Sequence, residues 1–202
     1  MLKNIKRTIR IAKLRRIAAR QWQELARKNT IKLELGSGKK HGANGWTCVD
    51  MYGADINYDL RRGLPLNDAS VDVIYTSHFL EHIDYKNLLL FIDECRRVLK
   101  PGGLFSVCVP DIRPYIDAYI NQQHFRPIDT LYQPAVVSTN SFLDQVNYVA
   151  YMDGQHRFMF DEQTLVNLLI KCHFNQVSLR QFDATIDMAS RDEGSIYAQA
   201  FK

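Results

Sequence analysis

The chain has 202 residues, 46% hydrophobic and 24% charged, which suits one soluble domain with a sizeable core. No apolar run approaches the roughly 18 residues of a membrane span, and the basic start lacks the apolar centre and cleavage site of a secretory leader, so a cytoplasmic protein is expected. The formal net charge of +4 conceals an asymmetry, because residues 1–30 hold ten Lys or Arg against Glu24 alone and the remainder is net acidic.

Cys48, Cys95, Cys108 and Cys172 are scattered, without the paired spacing of zinc or redox sites. They read as reduced core residues.

From Leu2 to about Arg27 there is no Gly or Pro, which predicts one long helix, and residues 1–29 form a basic amphipathic segment ahead of a domain spanning 30–202. Leu2, Ile5, Ile9 and Ala12 share one face, whereas Ile11, Leu14, Ala18, Trp22 and Leu25 share a roughly opposite one. The second half should therefore pack on the domain. The first half should project an apolar stripe flanked by Lys3, Lys6, Arg7, Arg10 and Lys13. Such a helix either covers its own fold or, through residues 1–28, meets an anionic membrane surface or a partner protein, with peripheral membrane attachment as the consequence.

Ile31-Lys32-Leu33-Glu34-Leu35 reads as a buried strand running into Gly36-Ser37-Gly38, where two glycines let the backbone turn sharply and approach a ligand. After a short polar link, Trp46–Asp50 predicts a second strand ending in an acid, placed to accept hydrogen bonds from ribose hydroxyls. Residues 54–59 suggest a third strand, with Asp59 at the same crevice. Val71–Thr76 is a β-branched strand. Ser77-His78-Phe79-Leu80-Glu81-His82 leaves its end.

Leu88–Leu99 has a helical pattern with Leu88, Leu89, Phe91, Ile92, Cys95, Val98 and Leu99 inward, and Pro101-Gly102-Gly103 stops it. Leu104–Val109 is a fifth strand with Asp111 beyond its tip. Residues 111–155 carry no strand signal and read as a substrate-side insertion in which Tyr115, Tyr119, His124, Phe125 and Arg126 stand out. Asp161-Glu162-Gln163 suits a helix start, and Val177–Phe182 and Ser195–Phe201 are candidate closing strands, the last antiparallel-looking. Strands alternating with helices predict a mostly parallel α/β sheet with helices on both faces, whose ligands lie at the carboxyl ends of the strands.

The ordered set Leu33-Glu34-Leu35-Gly36-Ser37-Gly38, Val49-Asp50, Asp59-Leu60 with Leu64-Pro65, Val71–Tyr75 with Leu80-Glu81-His82, and Leu99-Lys100-Pro101-Gly102-Gly103 resembles the class I S-adenosylmethionine-dependent methyltransferases, in particular the type 11 methyltransferase domain. The resemblance covers about residues 31–110 and implies a Rossmann-like doubly wound sheet. It further implies that Glu34, Gly36, Ser37 and Gly38 cradle the methionine part of S-adenosyl-L-methionine, that Asp50 with Met51 holds the ribose, and that Asp59 and Leu60 meet the adenine. Ser77 and His78 would face the sulfonium. The third glycine of the loop is replaced by Lys40, and the first crossover is short.

The expected activity is methyl transfer to a small-molecule or glycan-precursor acceptor, chiefly by positioning, with His78 or Asp111 as base if the acceptor is a hydroxyl. No metal enters this reading, and Glu81 and His82 are expected to hold the start of the following helix. Four alternatives stand beside it. A non-catalytic cofactor-binding or scaffold protein would dock through the basic helix. His78-x-x-Glu81-His82 also matches an inverted zinc-protease pattern, with Glu162 as a third ligand. A nicotinamide dehydrogenase is disfavoured by the incomplete glycine fingerprint, and nucleic-acid methylation by the residues after the fourth strand.

Overall fold

The computed structural model describes residues 2–125 and 139–202, with side chains from Lys13 onward. Seven strands form one sheet in the order β3-β2-β1-β4-β5-β7-β6. The strands are β1 (Lys32–Leu35), β2 (Trp46–Asp50), β3 (Ile56–Asn57), β4 (Val71–Ser77), β5 (Leu99–Pro110), β6 (Asn175–Leu179) and β7 (Ser195–Phe201). The first five are parallel, and β7 runs antiparallel to both β5 and β6. This is the Rossmann-like doubly wound arrangement with an antiparallel closing strand. Strand order reverses between β1 and β4, which puts the topological switch point at the tips carrying Gly36 and His78.

The helices are α1 (Leu2–Leu25), α2 (Tyr85–Val98), α3 (Arg113–Ile120), α4 (Leu143–Tyr151) and α5 (Glu162–Lys171). In α2 the residues at helical spacing, Leu88, Phe91, Ile92, Cys95 and Val98, are buried, and they meet Leu33, Ile74 and Phe105 of the sheet in one core. The side chain of Asp84 caps α2 by accepting from the Asn87 N–H at 3.2 Å, and Asp161 caps α5 by accepting from the Thr164 N–H at 2.7 Å. The α2 cap corrects the expectation for Glu81 and His82, which lie in a separate 3-10 turn, Leu80–His82.

Three strands are displaced from their expected limits. β5 begins at Leu99, five residues ahead of the expected Leu104, so that Leu99 and Pro101-Gly102-Gly103 belong to the strand and not to the end of α2. β3 keeps only two residues because Asp59 turns away to cap a 3-10 turn, and β6 begins at Asn175, ahead of the expected Val177. The side chains of Ala18, Trp22 and Leu25 anchor α1: Trp22 meets Tyr58 edge-on at 5.5 Å, and Gln21 Nε2 donates to the Asp55 carbonyl at 2.7 Å. Leu14, expected on the same buried face, is 43% exposed because docking stops one turn before it. Ile11 and the expected apolar stripe from Leu2 to Ala12 lie outside the described side chains, and Arg126 lies outside the described residues.

Candidate active site

The link from β1 to β2 has ten residues and no helix, fewer than the dozen or more usual for a parallel crossover. Asp55 holds it in place. Its carboxylate accepts from the Gly42 N–H at 2.8 Å and the Cys48 N–H at 2.9 Å, and pairs with His41 Nδ1 at 2.9 Å. Burial alone would raise the Asp55 pKa, but these hydrogen bonds bring it below the usual value. Gly42 is required there because a Cβ would stand 2.2 Å from the Trp46 carbonyl oxygen.

The glycine loop itself adopts the left-handed backbone that only glycine takes readily, with φ of +72° at Gly36 and +66° at Gly38. A Cβ on Gly36 would lie 2.1 Å from Cγ of Phe79, so the ring after β4 roofs the turn after β1 across the switch point. The Gly38 N–H donates to Asp50 Oδ2 at 2.8 Å, and the Met51 N–H donates to Oδ1. Each carboxylate oxygen keeps a second lone pair for another donor. Glu34 is buried and paired with Lys40 Nζ at 2.7 Å, so the lysine standing in place of the third glycine neutralises the strand-end acid. The Ser37 hydroxyl is out of solvent beside the Cys48 thiol.

A cavity of about 680 Å³ opens beside this loop, and Asp50, Met51, Asp59, Leu60 and Phe79 line it together with Tyr58, His82 and Arg157. Asp59 is clamped by Arg61, whose Nε and Nη2 each donate to a different carboxylate oxygen at 2.8 Å. That hydrogen bonding holds the Asp59 carboxyl below the usual range. The structure thus gathers four of the predicted cofactor residues on one wall. Gly36, Ser37 and Gly38 adjoin it through the Asp50 contact, whereas Glu34, Ser77, His78 and Asp111 are not among its lining residues. A cavity of this size with an acid at the β2 tip and a glycine turn left open at Gly38 fits a nucleoside-bearing cofactor.

Ser77, His78 and Asp111 converge instead on the segment entering β7. The Ser195 hydroxyl donates to the Arg191 carbonyl, so at 2.8 Å His78 Nε2 must be the donor to Ser195 Oγ. Nε2 therefore carries a proton, and any base chemistry of this ring falls to Nδ1. Arg191 Nη1 donates to the Ser77 carbonyl at 2.9 Å and to its hydroxyl at 3.2 Å. The Asp111 N–H donates to the Gly194 carbonyl at 2.9 Å, and Asp111 Oδ1 accepts from the Arg113 N–H at 2.9 Å. Burial raises the Asp111 pKa, aided by Glu162 and Asp161. A raised carboxyl and an imidazole with a defined tautomer at neighbouring strand tips are both competent for proton transfer.

His78 adopts φ +50° and precedes a 3-10 turn, so His78 and His82 do not share a helix face as the zinc-protease pattern requires. Among the described residues, the group whose ligating atoms come together is Glu81, His82 and His156, without His78 or Glu162. Phe79, Asp55, His156 and Arg191 were not singled out from the sequence. Phe79 had a local signal, being the bulky residue next to His78 in a motif already noted, and the others act through distant contacts.

A profile of the methyltransferase domain matches residues 24–107. A Mycolicibacterium smegmatis protein named a probable S-adenosylmethionine-dependent methyltransferase is 36% identical over 132 residues, 54% of this chain and 51% of its own. A Mycobacterium tuberculosis protein of the same designation is 29% identical over 147 residues, 61% of this chain and 53% of its own. The chain therefore spans about half the length of these curated relatives. Two solved S-adenosylmethionine-dependent methyltransferases share the fold. The one from Archaeoglobus fulgidus has a TM-score of 0.53 at 16% identity over 94% of each chain. The one from Thermotoga maritima has a TM-score of 0.51 at 15% identity over 99% of this chain and 97% of its own. The motifs in their order, the reversal of the sheet at Gly36 and His78, and these likenesses agree: residues 24–107 match the methyltransferase domain, and the chain has the fold of the solved S-adenosylmethionine-dependent methyltransferases.

Proposed function

We propose that the protein transfers a methyl group from S-adenosylmethionine to a small-molecule or glycan-precursor acceptor. The observation that carries this reading is Asp50, a carboxylate at the β2 tip that is tied to the glycine loop through Gly38 and also lines the cavity. In this reading Asp50 and Met51 hold the ribose, Asp59 and Leu60 flank the adenine, and the Gly36–Gly38 backbone takes the amino-acid end beside Glu34. When bound, the cofactor supplies a methyl group already activated on a sulfonium sulfur. The protein's work is then to orient the acceptor and exclude water, and positioning of this kind is worth about 7–11 kcal/mol. His78 Nδ1 or the Asp111 carboxyl would take the acceptor proton where one must leave. The insertion supplies the acceptor wall through α3 and α4, whose Tyr115 and Val149, with Ile112 just ahead of α3, form a core of their own against Phe125 and Tyr148.

Calorimetry with S-adenosylmethionine tests the reading directly. Wild type should bind, and Asp50→Ala should weaken binding by the worth of a charged hydrogen bond, about 1.5–3 kcal/mol. Absence of binding to wild type would reject the cofactor assignment, and binding without turnover on any acceptor would favour the scaffold reading.

The exposed basic residues of α1, including Lys13, Arg15, Arg16 and Arg20, favour a second element of this proposal. The helix rests on an anionic surface, each basic residue near an anionic leaflet contributing about 1 kcal/mol. Co-sedimentation with liposomes, with and without the first 13 residues, tests it. No helix among the described residues is long and apolar enough to cross a membrane.

A further inference from the structure

Glu81 is 2% exposed, and neither of its carboxylate oxygens has a hydrogen-bond partner among the described residues. Leaving an acid in that condition is costly, by several kcal/mol for an ion even after relaxation. Two imidazoles border it. His82 Nε2 lies 3.8 Å from Glu81 Oε1, and the ring of His156 meets that of His82 edge-on at 5.0 Å between centroids.

The other nitrogen of each ring is committed. His82 Nδ1 lies 3.0 Å from the Gln155 carbonyl oxygen, and His156 Nδ1 lies 2.6 Å from the Val149 carbonyl oxygen. A carbonyl only accepts, so both Nδ1 atoms carry hydrogen and the lone pair of each neutral ring is on Nε2. An Nδ1–H held by a backbone carbonyl is the usual outer support of a histidine that ligates a metal through its other nitrogen. One ligating atom from each of Glu81, His82 and His156 lies within 4.8 Å of the other two.

We propose that Glu81, His82 and His156 bind a divalent transition cation such as zinc at the wall of the cavity that His82 lines. Two imidazole nitrogens and one carboxylate oxygen are a donor set suited to zinc and its neighbours, with bonds of about 2.0–2.2 Å. Tetrahedral binding would bring the donor atoms to roughly 3.3 Å from one another, an inward movement from 3.8 Å for the His82–Glu81 pair and from within 4.8 Å for the group as a whole. Three protein ligands leave one coordination position for water or an oxygen of a bound molecule. Burial, which raises the Glu81 pKa to about 8, is then offset by the cation.

The fold gives the insertion a part in this site. α4 ends at Tyr151 and supplies the Val149 carbonyl that orients His156, while the Glu81 carbonyl accepts from the Arg157 N–H at 2.7 Å and the Phe158 N–H at 3.2 Å. Residues 156–158 are thereby fastened alongside the 3-10 turn that carries the other two ligands.

The test uses the full chain without a histidine tag, stripped with chelator and titrated with cobalt(II) or zinc(II) in the absence of S-adenosylmethionine. Wild type should take up one equivalent, and cobalt should give the visible absorption of a low-coordinate nitrogen and oxygen site. Glu81→Gln and the half-exposed His82→Ala, checked for folding by circular dichroism, should each weaken uptake by roughly tenfold or more. His173→Ala should bind as wild type does. No uptake by wild type, or undiminished uptake by folded Glu81→Gln and His82→Ala, would overturn the site. The measurement needs no cofactor, so its outcome is separate from that of the methyl-transfer proposal.

Discussion

Gly36 sits at φ +72° with Phe79 Cγ 2.1 Å from where its Cβ would be, so Gly36→Ala meets two separate penalties. Overpacking against a ring already edge-on to Phe91 at 5.4 Å costs about 1–3 kcal/mol, and the left-handed backbone adds about 1–2 kcal/mol. Only the first depends on Phe79. In a Phe79→Ala background, Gly36→Ala should therefore cost less by about 1 kcal/mol or more, read by urea denaturation in a double-mutant cycle. Strict additivity of the two changes would mean that the ring does not roof the loop. Asp50 illustrates a different residue-scale point: its two loop contacts, from Gly38 and Met51, pre-orient the carboxylate toward the cavity, so a bound hydroxyl would meet an acceptor already fixed in place.

At the scale of elements, the segment between β6 and β7 is held by one buried carboxylate. Asp187 accepts from the Tyr75 hydroxyl at 2.8 Å, from Arg180 Nη1 and Nη2 at 2.6 and 2.8 Å, and from the Asp183 N–H at 2.8 Å. Burial would raise its pKa, yet Arg180, the Asp183 N–H and Tyr75 together hold it below the usual value. Asp187→Asn leaves the Arg180 guanidinium, 10% exposed, without its counter-charge, and removing one partner of a buried pair costs about 3–5 kcal/mol. Because the folded-state pKa is depressed, this contribution should be complete at pH 7. It should be lost as pH falls from about 4, the ordinary aspartate value, through the lower folded-state value. Denaturant midpoints of wild type and variant should converge in that acid range; a gap independent of pH would assign the effect to packing alone.

The same element shows what the sequence could and could not reveal. Gly36, Asp50 and the Leu88–Val98 face were legible because a strand tip, a glycine turn and a helical stripe are local patterns. His78 was legible as a strand-end residue, but its Ser195 partner is 117 positions away, and the contact that orients His82 spans 73 positions. Residue spacing alone therefore grouped His82 with His78, whereas the fold groups it with His156. Periodicity likewise put Leu14 on the buried face of α1, because it reports which side of a helix is apolar but not where the surface beneath it ends.

For the molecule as a whole, α1 has a docked end anchored by Ala18, Trp22 and Leu25 and, ahead of it, exposed side chains from Lys13 to Ile17. Trp22 is 2% exposed and packed on Tyr58, so Trp22→Ala should destabilise the domain by about 3–5 kcal/mol, the usual range for an aromatic truncated in a core. Removing residues 1–13 takes away none of the buried anchors Ala18, Trp22 and Leu25, and the unfolding free energy should stay within about 0.5 kcal/mol. That truncation does remove Lys3, Lys6, Arg7, Arg10 and Lys13, so binding to liposomes rich in anionic lipid should drop and its salt dependence should flatten. Wild type should not sediment with neutral liposomes. If the truncated chain binds anionic liposomes as well as the full chain does, the attraction belongs to the docked half or the domain surface, and residues 1–13 have no membrane role. If truncation instead lowers stability by more than about 1 kcal/mol, the first turns of α1 pack on the domain, and the division of the helix at Ala18 is wrong.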